Sequence, residues 1–498
     1  MLFDWGNRTP TRGRGRADCI YTSKEVLRRR KSWGLESYAT LWDVQKCFDK
    51  LPRQFIWRSM EICGVDGKMI EAVKATLVNT TCTLHIEGEE REVPMRQGSG
   101  QGTTLGPTLC SFFFLPILKH WENMMEDQAT YATAMSEDGD ENKFKTFTNN
   151  FADDTMMITG SRPMTEMVVR EFPKYLSKFQ VEVHRASAAT PKSKSVIVHC
   201  PATEEQARSE SLEPIELESR AGMGVEYVQF TEAAVYLGAK ISTTLSDRDE
   251  IRERIMKATQ LYGSLRPHFL ASKDVWPEVK RKVMVSMILP VMLDGAESWV
   301  VDATSMRELQ SAYNKMVRGM LRLTTWTTRK YSITTNQTHQ RLGLQDLAHY
   351  LDWKVLGYAG HVERMLPHRL PKKARDCYFT SARRRGAPHK THKKQVRESI
   401  RRKEIPLDSW KSLSLNKAEW RKAIKRNIPS SKNQKRAASV CDQKPSDFIG
   451  QYVEKKFRHK YFVGRIIDTD VDGDSGEQIW GVGIRRRRLR RLQLERIM

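Results

Sequence analysis

Two adjacent carboxylates, Asp153 and Asp154, stand between apolar segments at 144–151 and 155–159. Segments of that length and composition read as paired strands, which puts the two acids at the tip of a hairpin. A further strand signal at 37–42 (SYATLW) delivers Asp43 at its end. Asp43 and Asp153 are 110 residues apart in sequence. Because each terminates a strand, one shared sheet would gather all three acids. Clustered carboxylates repel one another unless cations neutralise them. Hard oxygen ligands suit Mg²⁺, and two such ions about 4 Å apart can activate a hydroxyl and stabilise a leaving phosphate. An acidic pair by itself is more often a surface turn, so order and context must carry the argument.

The context is an alternation of strands and helices. Residues 23–33, 53–63 and 67–78 have helical spacing, and 80–87 with 89–95 read as a hairpin turning at Gly88. A glycine-rich loop, Gly98-Ser99-Gly100-Gln101-Gly102, runs into an apolar helix at 106–124, and a polar insertion fills 126–142. Residues 172–178 read as helix, and 195–199 and 235–241 as strands. The pattern indicates an α+β domain up to about residue 245. From 251 to 356 the spacing is helical, interrupted by Pro267, Pro277 and Pro290. Trp276, Trp299, Trp326 and Trp353 fall within that stretch and are expected in its core rather than as stacking platforms.

Charge divides the chain further. The net charge is +24, of which 361–440 carries +18 and 485–498 carries +6, so the remainder is neutral. A basic stripe without an amphipathic lipid-facing pattern fits nucleic acid, the bland reading being a solvated charged surface. No apolar stretch approaches the ~20 residues of a bilayer span, so no membrane partner is expected. The eight cysteines are scattered singly with no CxxC pair. That agrees with an intracellular protein of cytoplasm and nucleus without structural zinc.

Five motifs follow in order: Asp43-Val-Gln-Lys-Cys-Phe48-Asp49, then Gln101-Gly102-Thr-Thr-Leu-Gly106-Pro107, then Phe151-Ala152-Asp153-Asp154, then Lys194 before a strand, then Tyr236-Leu237-Gly238. This succession resembles motifs A to E of the reverse transcriptases of non-LTR (LINE-type) retrotransposons. Segments at 51–57, 289–299 (LPVMLDGAESW) and 356–365 (LGYAGHVERM) are similar to others of that family, so the resemblance spans about 13–430. It implies an RNA-directed DNA polymerase in which Asp43, Asp153 and Asp154 hold two Mg²⁺ ions, Mn²⁺ being a substitute. Phe48 stands where the family has its sugar gate, with a core aromatic as the alternative. Gln101 and Gly102 match the template and nucleotide contact, and Lys194, in competition with Lys192, the lysine that assists pyrophosphate departure. Tyr236, Leu237 and Gly238 match the primer grip. The implied partners are an RNA template, a DNA primer and deoxynucleoside triphosphates.

The implied architecture is a right-hand polymerase palm at 37–245 after a basic lead-in and remnant of fingers at 1–36. A thumb-like helical subdomain at 246–360 and a basic, partly disordered linker at 361–446 follow. Residues 447–498 resemble a Tudor-like barrel, which suggests chromatin as a further partner. That barrel is expected to be incomplete, because the arginine-rich run 483–496 suits no closing strand and a shifted reading frame is compatible with it. Only 42 residues precede Asp43, so most of the fingers are expected to be missing and the chain to be truncated. No endonuclease domain is recognised. A non-catalytic nucleic-acid or chromatin binder of the same fold stays open as the alternative.

Overall fold

The computed structural model describes residues 15–86, 88–100, 103–125, 148–209, 211–218, 224–376 and 390–426, together with strands at 452–457, 460–471 and 478–483. The chain opens with α1 (Arg16–Ser32), β1 (Ser37–Trp42), α2 (Cys47–Lys50), α3 (Arg53–Ile62), α4 (Gly67–Leu77), the hairpin β2 (Thr81–Ile86) and β3 (Glu89–Pro94), and α5 (Gly106–Met124). It continues through β4 (Thr148–Phe151), β5 (Asp154–Thr159), α6 (Arg162–Ser177), β6 (Ala186–Ser187), β7 (Val196–Cys200), α7 (Glu204–Ser209), β8 (Ile215–Leu217), β9 (Glu226–Phe230), β10 (Ala233–Tyr236) and β11 (Ala239–Ser242). Residues 235–241 are therefore two short strands folded back on each other, where one strand was expected. Leu237 and Gly238, both at positive φ, form the turn between them.

One mixed sheet organises this part, in the order β4-β5-β1-β7-β9-β6, with β8 on β9. Its centre, β1, is buried at every residue, and the period-two alternation sends its side chains to two different cores. Tyr38 and Trp42 join Phe113, Trp121, Val168 and Phe172 beneath α3, α5 and α6. Ala39 and Leu41 face the other way, with Cys19, Val26 and Leu27 of α1 and with Tyr236 and Ile241. The helix α1, expected as part of a lead-in, thus covers the second face of the sheet. It starts at Arg16 rather than near Ser23.

A helical unit follows: α8 (Arg248–Leu265), α9 (Pro277–Val283), α10 (Leu289–Met292), α11 (Ala303–Met320), α12 (Thr325–Lys330), α13 (Thr335–Leu342) and α14 (Leu347–Glu363). It has its own core, which includes Trp299, Tyr313 and Leu356. Of its four tryptophans only Trp299 is buried as expected. Trp276, Trp326 and Trp353 are 66%, 65% and 40% exposed. Within 361–446, expected as a linker, the described residues hold α15 (Leu370–Asp376), α16 (His392–Arg402), α17 (Trp410–Leu415) and α18 (Lys417–Lys425). Val396, Ile400, Trp420 and Ile424 from these helices enter the same core. Their i, i+4 spacing supplies a narrow apolar stripe under many solvated charges.

The last described strands, β12 (Tyr452–Phe457), β13 (Lys460–Val471) and β14 (Gln478–Gly483), pair antiparallel with a register shift between Ile466 and Asp468. They form a three-stranded sheet; among the described residues these strands do not close into a barrel, and residues 484–498 lie outside the described residues. No described helix is long and apolar enough to cross a membrane.

Candidate active site

The β1–β5 ladder sets the geometry. The two strands run antiparallel with Tyr38 opposite Thr159 and Trp42 opposite Thr155. Asp43 and Asp154 are each one residue beyond that last pair, so their backbones lie side by side, about 5 Å apart at Cα for neighbours of this kind. Asp153 occupies the turn between β4 and β5, where Phe151 pairs with Asp154. Ala152 in the same turn adopts φ +57°. An L-residue pays about 1–2 kcal/mol for that conformation, so the tight turn that holds the acidic pair is kept by the packing of both strands.

Electrostatics couples the three acids. Burial pushes Asp154 up to about 6, reinforced by the charges of Asp153 and Asp43 and partly offset by Lys194. Asp153 is raised as well, by burial first and then by Asp43. The Asp43 carboxylate lies 3.2 Å from Nε2 of His184 and 3.8 Å from Nζ of Lys194. Its backbone is held on both sides: the His184 N–H donates to the Asp43 carbonyl at 2.8 Å, and the Asp43 N–H donates to Ser195 Oγ at 3.2 Å. Nothing in the sequence singled out His184; the lone Val44–Val183 bridge brings it in. Asp43, Asp154, Lys192 and Lys194 line one cleft of about 490 Å³, with Gln229 and Tyr236 on its wall.

The remaining residues fall around this centre. Phe48 is half-buried against the helix-side core. Its carbonyl accepts from the Ser99 N–H at 2.8 Å, and a Cβ on Gly98 would lie 2.6 Å from that oxygen, so a side chain at 98 is excluded. A Cβ on Gly106 would lie 2.7 Å from the Gly100 carbonyl, which ties the glycine loop to the start of α5. Gln101 and Gly102 lie outside the described residues.

The Tyr236–Gly238 turn is fastened from three directions. Buried Tyr236 donates its hydroxyl to the Asn149 carbonyl on β4 at 2.9 Å, joining the turn to the strand that leads into Asp153. Arg16 Nη1 donates to the Leu237 carbonyl at 3.2 Å, and Arg254 Nη2 donates to that of Gly238. Both guanidiniums pair with Asp294, Arg254 at 3.0 Å. Asp294 reaches the turn through the two arginines it pairs with. If the turn orients a primer terminus, as the resemblance implies, Asp294→Ala is expected to lower primer extension about tenfold with a raised KM for template-primer, since displacement of a positioning element costs rate. The melting temperature should move by only a few degrees. An unchanged KM beside a lowered melting temperature would make Asp294 purely structural.

The three acids offer the hard oxygen donors that divalent cations prefer. The Asp153 and Asp154 carboxyls are raised by burial and by the acids beside them, an excess of negative charge that a cation would relieve. Among the described residues, no group of three Asp, Glu, His or Cys side chains is already closed around one point. The donor set fits a cation in chemistry, and Asp43 is turned instead toward His184 and Lys194.

A test follows from Asp154. Its folded value, about 6, lies above the ordinary 3.8, so the ionised form costs stability at every pH above about 6 and the cost fades as pH falls toward 4. Asp154→Asn is expected to raise the melting temperature at pH 7.5 without divalent ions. The gain should shrink by pH 5, and Mg²⁺ at pH 7.5 should narrow it by stabilising only the wild type. A variant that melts lower than wild type at pH 7.5 would contradict the repulsion.

Residues 12–240 match the family described as reverse transcriptase (RNA-dependent DNA polymerase). Among solved structures the chain is similar to apo telomerase from Candida tropicalis, at 14% identity over 73% of this chain and 57% of that one, with a TM-score of 0.33. A telomerase from Candida albicans in complex with a fragment of telomeric RNA gives 10% identity, 68% and 49% coverage, and a TM-score of 0.33. A Candida tropicalis telomerase lacking its C-terminal domain gives 15% identity, 46% and 38% coverage, and a TM-score of 0.29. The chain thus spans between 38% and 57% of the length of these structures. Residues 12–240, with the acidic centre inside them, thus resemble the reverse transcriptase family, and by that family resemblance an RNA-directed DNA polymerase.

Proposed function

We propose that the chain is the palm and thumb portion of a non-LTR retrotransposon reverse transcriptase, which extends a DNA primer on an RNA template. The observation that carries this reading is the placement of Asp43 beside Asp154, with Asp153 in the adjoining turn, at one sheet edge within residues 12–240. The cleft that Asp43 and Asp154 border has the volume of a small-ligand site, which suits a nucleoside triphosphate.

In this reading Asp43, Asp153 and Asp154 would hold two Mg²⁺ ions, which when bound supply activation of the primer 3′-hydroxyl and neutralise charge on the leaving pyrophosphate. Lys194, beside Asp43 on the same cleft, would meet phosphate oxygens. Phe48 restricts the sugar side, and Gln101 with Gly102 contacts template and nucleotide. The Tyr236–Gly238 turn orients the primer terminus, while the helical unit from α8 onward acts as the thumb. The basic residues of 361–440 hold the nucleic-acid backbone with little sequence preference and with affinity that falls steeply with salt. The C-terminal strands, read as Tudor-like, would add a chromatin contact, and the protein would work in cytoplasm and nucleus.

The experiment is Mg²⁺-dependent extension of a DNA primer annealed to RNA by the purified full chain. Incorporation that needs all four deoxynucleotides and stops with EDTA supports the polymerase. Tight template-primer binding with no incorporation under either Mg²⁺ or Mn²⁺ would leave only the non-catalytic binder of the same fold.

A further inference from the structure

Two large apolar rings are left in solvent on neighbouring segments of the helical unit. Trp326 sits on α12, a helix with no buried residue, and Trp276 caps the start of α9. Both are about two-thirds exposed. Their segments are tied together by a buried lysine: Lys280 Nζ donates to the Ser272 carbonyl at 2.7 Å and to the Met320 carbonyl at 3.1 Å. Ser272 leads into Trp276, and Met320 ends the helix that leads into α12. Lys280 carries no free charge to the surface; it fixes the two ring-bearing segments against each other.

The charge around Trp326 has one sign. From Leu309 to Gln345 the sequence contains no Asp or Glu and six basic residues, Lys315, Arg318, Arg322, Arg329, Lys330 and Arg341. At the chain's average of 60 acidic residues in 498, a stretch of this length would hold about four. Lys330 Nζ lies 4.2 Å from the centre of the Trp326 ring, within cation–π range. The hydroxyls of Thr324 and Thr327 are bonded to each other at 2.8 Å, with Thr324 accepting from the Thr327 N–H, so the short helix is locked locally while its ring stays outside.

We propose that α12 and Trp276 form a contact site for single-stranded nucleic acid, outside the residues 12–240 that match the reverse transcriptase family. Exposed indoles stack on bases, and surrounding cations take the phosphates. The acid-free stretch 309–345 around Trp326 complements a polyanion, while Asp274 and Glu278 flank Trp276, so the phosphate contacts fall on the α12 side. A duplex offers base edges and phosphates but not base faces, so the occupant is a single strand, of RNA or DNA. The site requires that the chain handle nucleic acid and does not require that it polymerise.

The test compares full-length wild type with Trp326→Ala, Trp326→Phe and Trp276→Ala by fluorescence anisotropy. The probes are a labelled oligo(U), an oligo(dT) and a blunt hairpin duplex. Loss of one stacked base is worth about 1–3 kcal/mol, roughly five- to a hundred-and-fiftyfold in affinity. Trp326→Ala should weaken both single strands within that range, Trp326→Phe should recover most of the loss, and duplex affinity should stay unchanged. A preference for oligo(U) over oligo(dT), or the reverse, identifies the source. Wild-type binding of single strands by Trp326→Ala, or an equal loss on the duplex, overturns the proposal. The Asp153→Asn variant, dead in extension but intact in single-strand binding, keeps failure of this site apart from failure of the polymerase reading.

Discussion

Asp153→Asn is expected to cut Mg²⁺-dependent primer extension by at least about a thousandfold, the scale of a lost ligand at a centre where metal ions carry several kcal/mol of transition-state stabilisation. Asparagine keeps the shape of the side chain and removes its charge. Burial and the Asp43 charge already hold the Asp153 carboxyl above its ordinary range, so an uncharged residue there relieves repulsion. Folding should therefore be unharmed or slightly improved. Binding of template-primer should stay near wild type, because the basic residues proposed to hold the backbone lie at 361–440. Extension that persists within about tenfold would remove Asp153 from the catalytic centre. Loss of binding in parallel with activity would mean that the hairpin tip supports structure rather than chemistry.

That centre was legible because its determinants are local. A strand ending at Asp43 and a hairpin tipped by Asp153-Asp154 follow from alternation and turn chemistry within a dozen residues, and the ladder does the rest. The Tyr236–Gly238 turn was legible as a motif but not as a hairpin, since the positive φ of Leu237 is imposed by its surroundings. His184 was not legible at all. It reaches Asp43 through a single bridge between Val44 and Val183, and no local pattern encodes a contact between chain positions so far apart.

The helix α1 shows a different limit. Its sequence, RADCIYTSKEVLRRRKS, has no clear apolar stripe, and the density of charge reads as solvated. Yet Lys24, Glu25 and Arg30 are all buried in it. Their partners lie within α1, beside it and more than two hundred residues away: Glu25 pairs with Arg29, Arg30 with Ser37, and Lys24 with α8 and the turn before it. A sequence reports that a residue is charged, while burial of the charge depends on a counter-charge supplied by the fold. Composition misleads the same way in 392–425, where Trp420 and Ile400 anchor helices that carry mostly basic residues. There the i, i+4 spacing was present and the charge concealed it.

Lys24 gives this pairing its largest measurable consequence. Its Nζ lies 2.8 Å from Asp247 Oδ1 and 2.6 Å from Glu250 Oε2, and all three side chains are at most 3% exposed. Asp247 also pairs with Arg28 and accepts from the Val300 N–H at 2.7 Å. Glu250 accepts from Trp299 Nε1 at 2.8 Å and from the Lys240 N–H at 3.0 Å. Burial alone would raise the Asp247 carboxyl, but Arg28 and Lys24 outweigh it and hold the group below its ordinary range. Lys24→Met keeps the stem of the side chain and removes the cation, leaving two buried carboxylates with Arg28 as their remaining cationic partner. Breaking a buried pair from one side costs about 3–5 kcal/mol, a large part of a domain's total stability. The variant is expected to lose that much in urea unfolding at pH 7. The deficit should shrink as pH falls toward 4.5, because the Asp247 carboxylate, deprived of Lys24, takes up a proton at higher pH than in the wild type. Lys24→Met combined with Asp247→Asn and Glu250→Gln should regain most of the loss, since uncharged groups of similar volume need no counter-ion. The network joins α1, the helix behind β1 and β4, to the first helix of the helical unit, so the single variant should lose the fixed relation of the two as well as stability. A Lys24→Met protein within about 1 kcal/mol of wild type would show that water reaches these carboxylates and that the clamp is not closed.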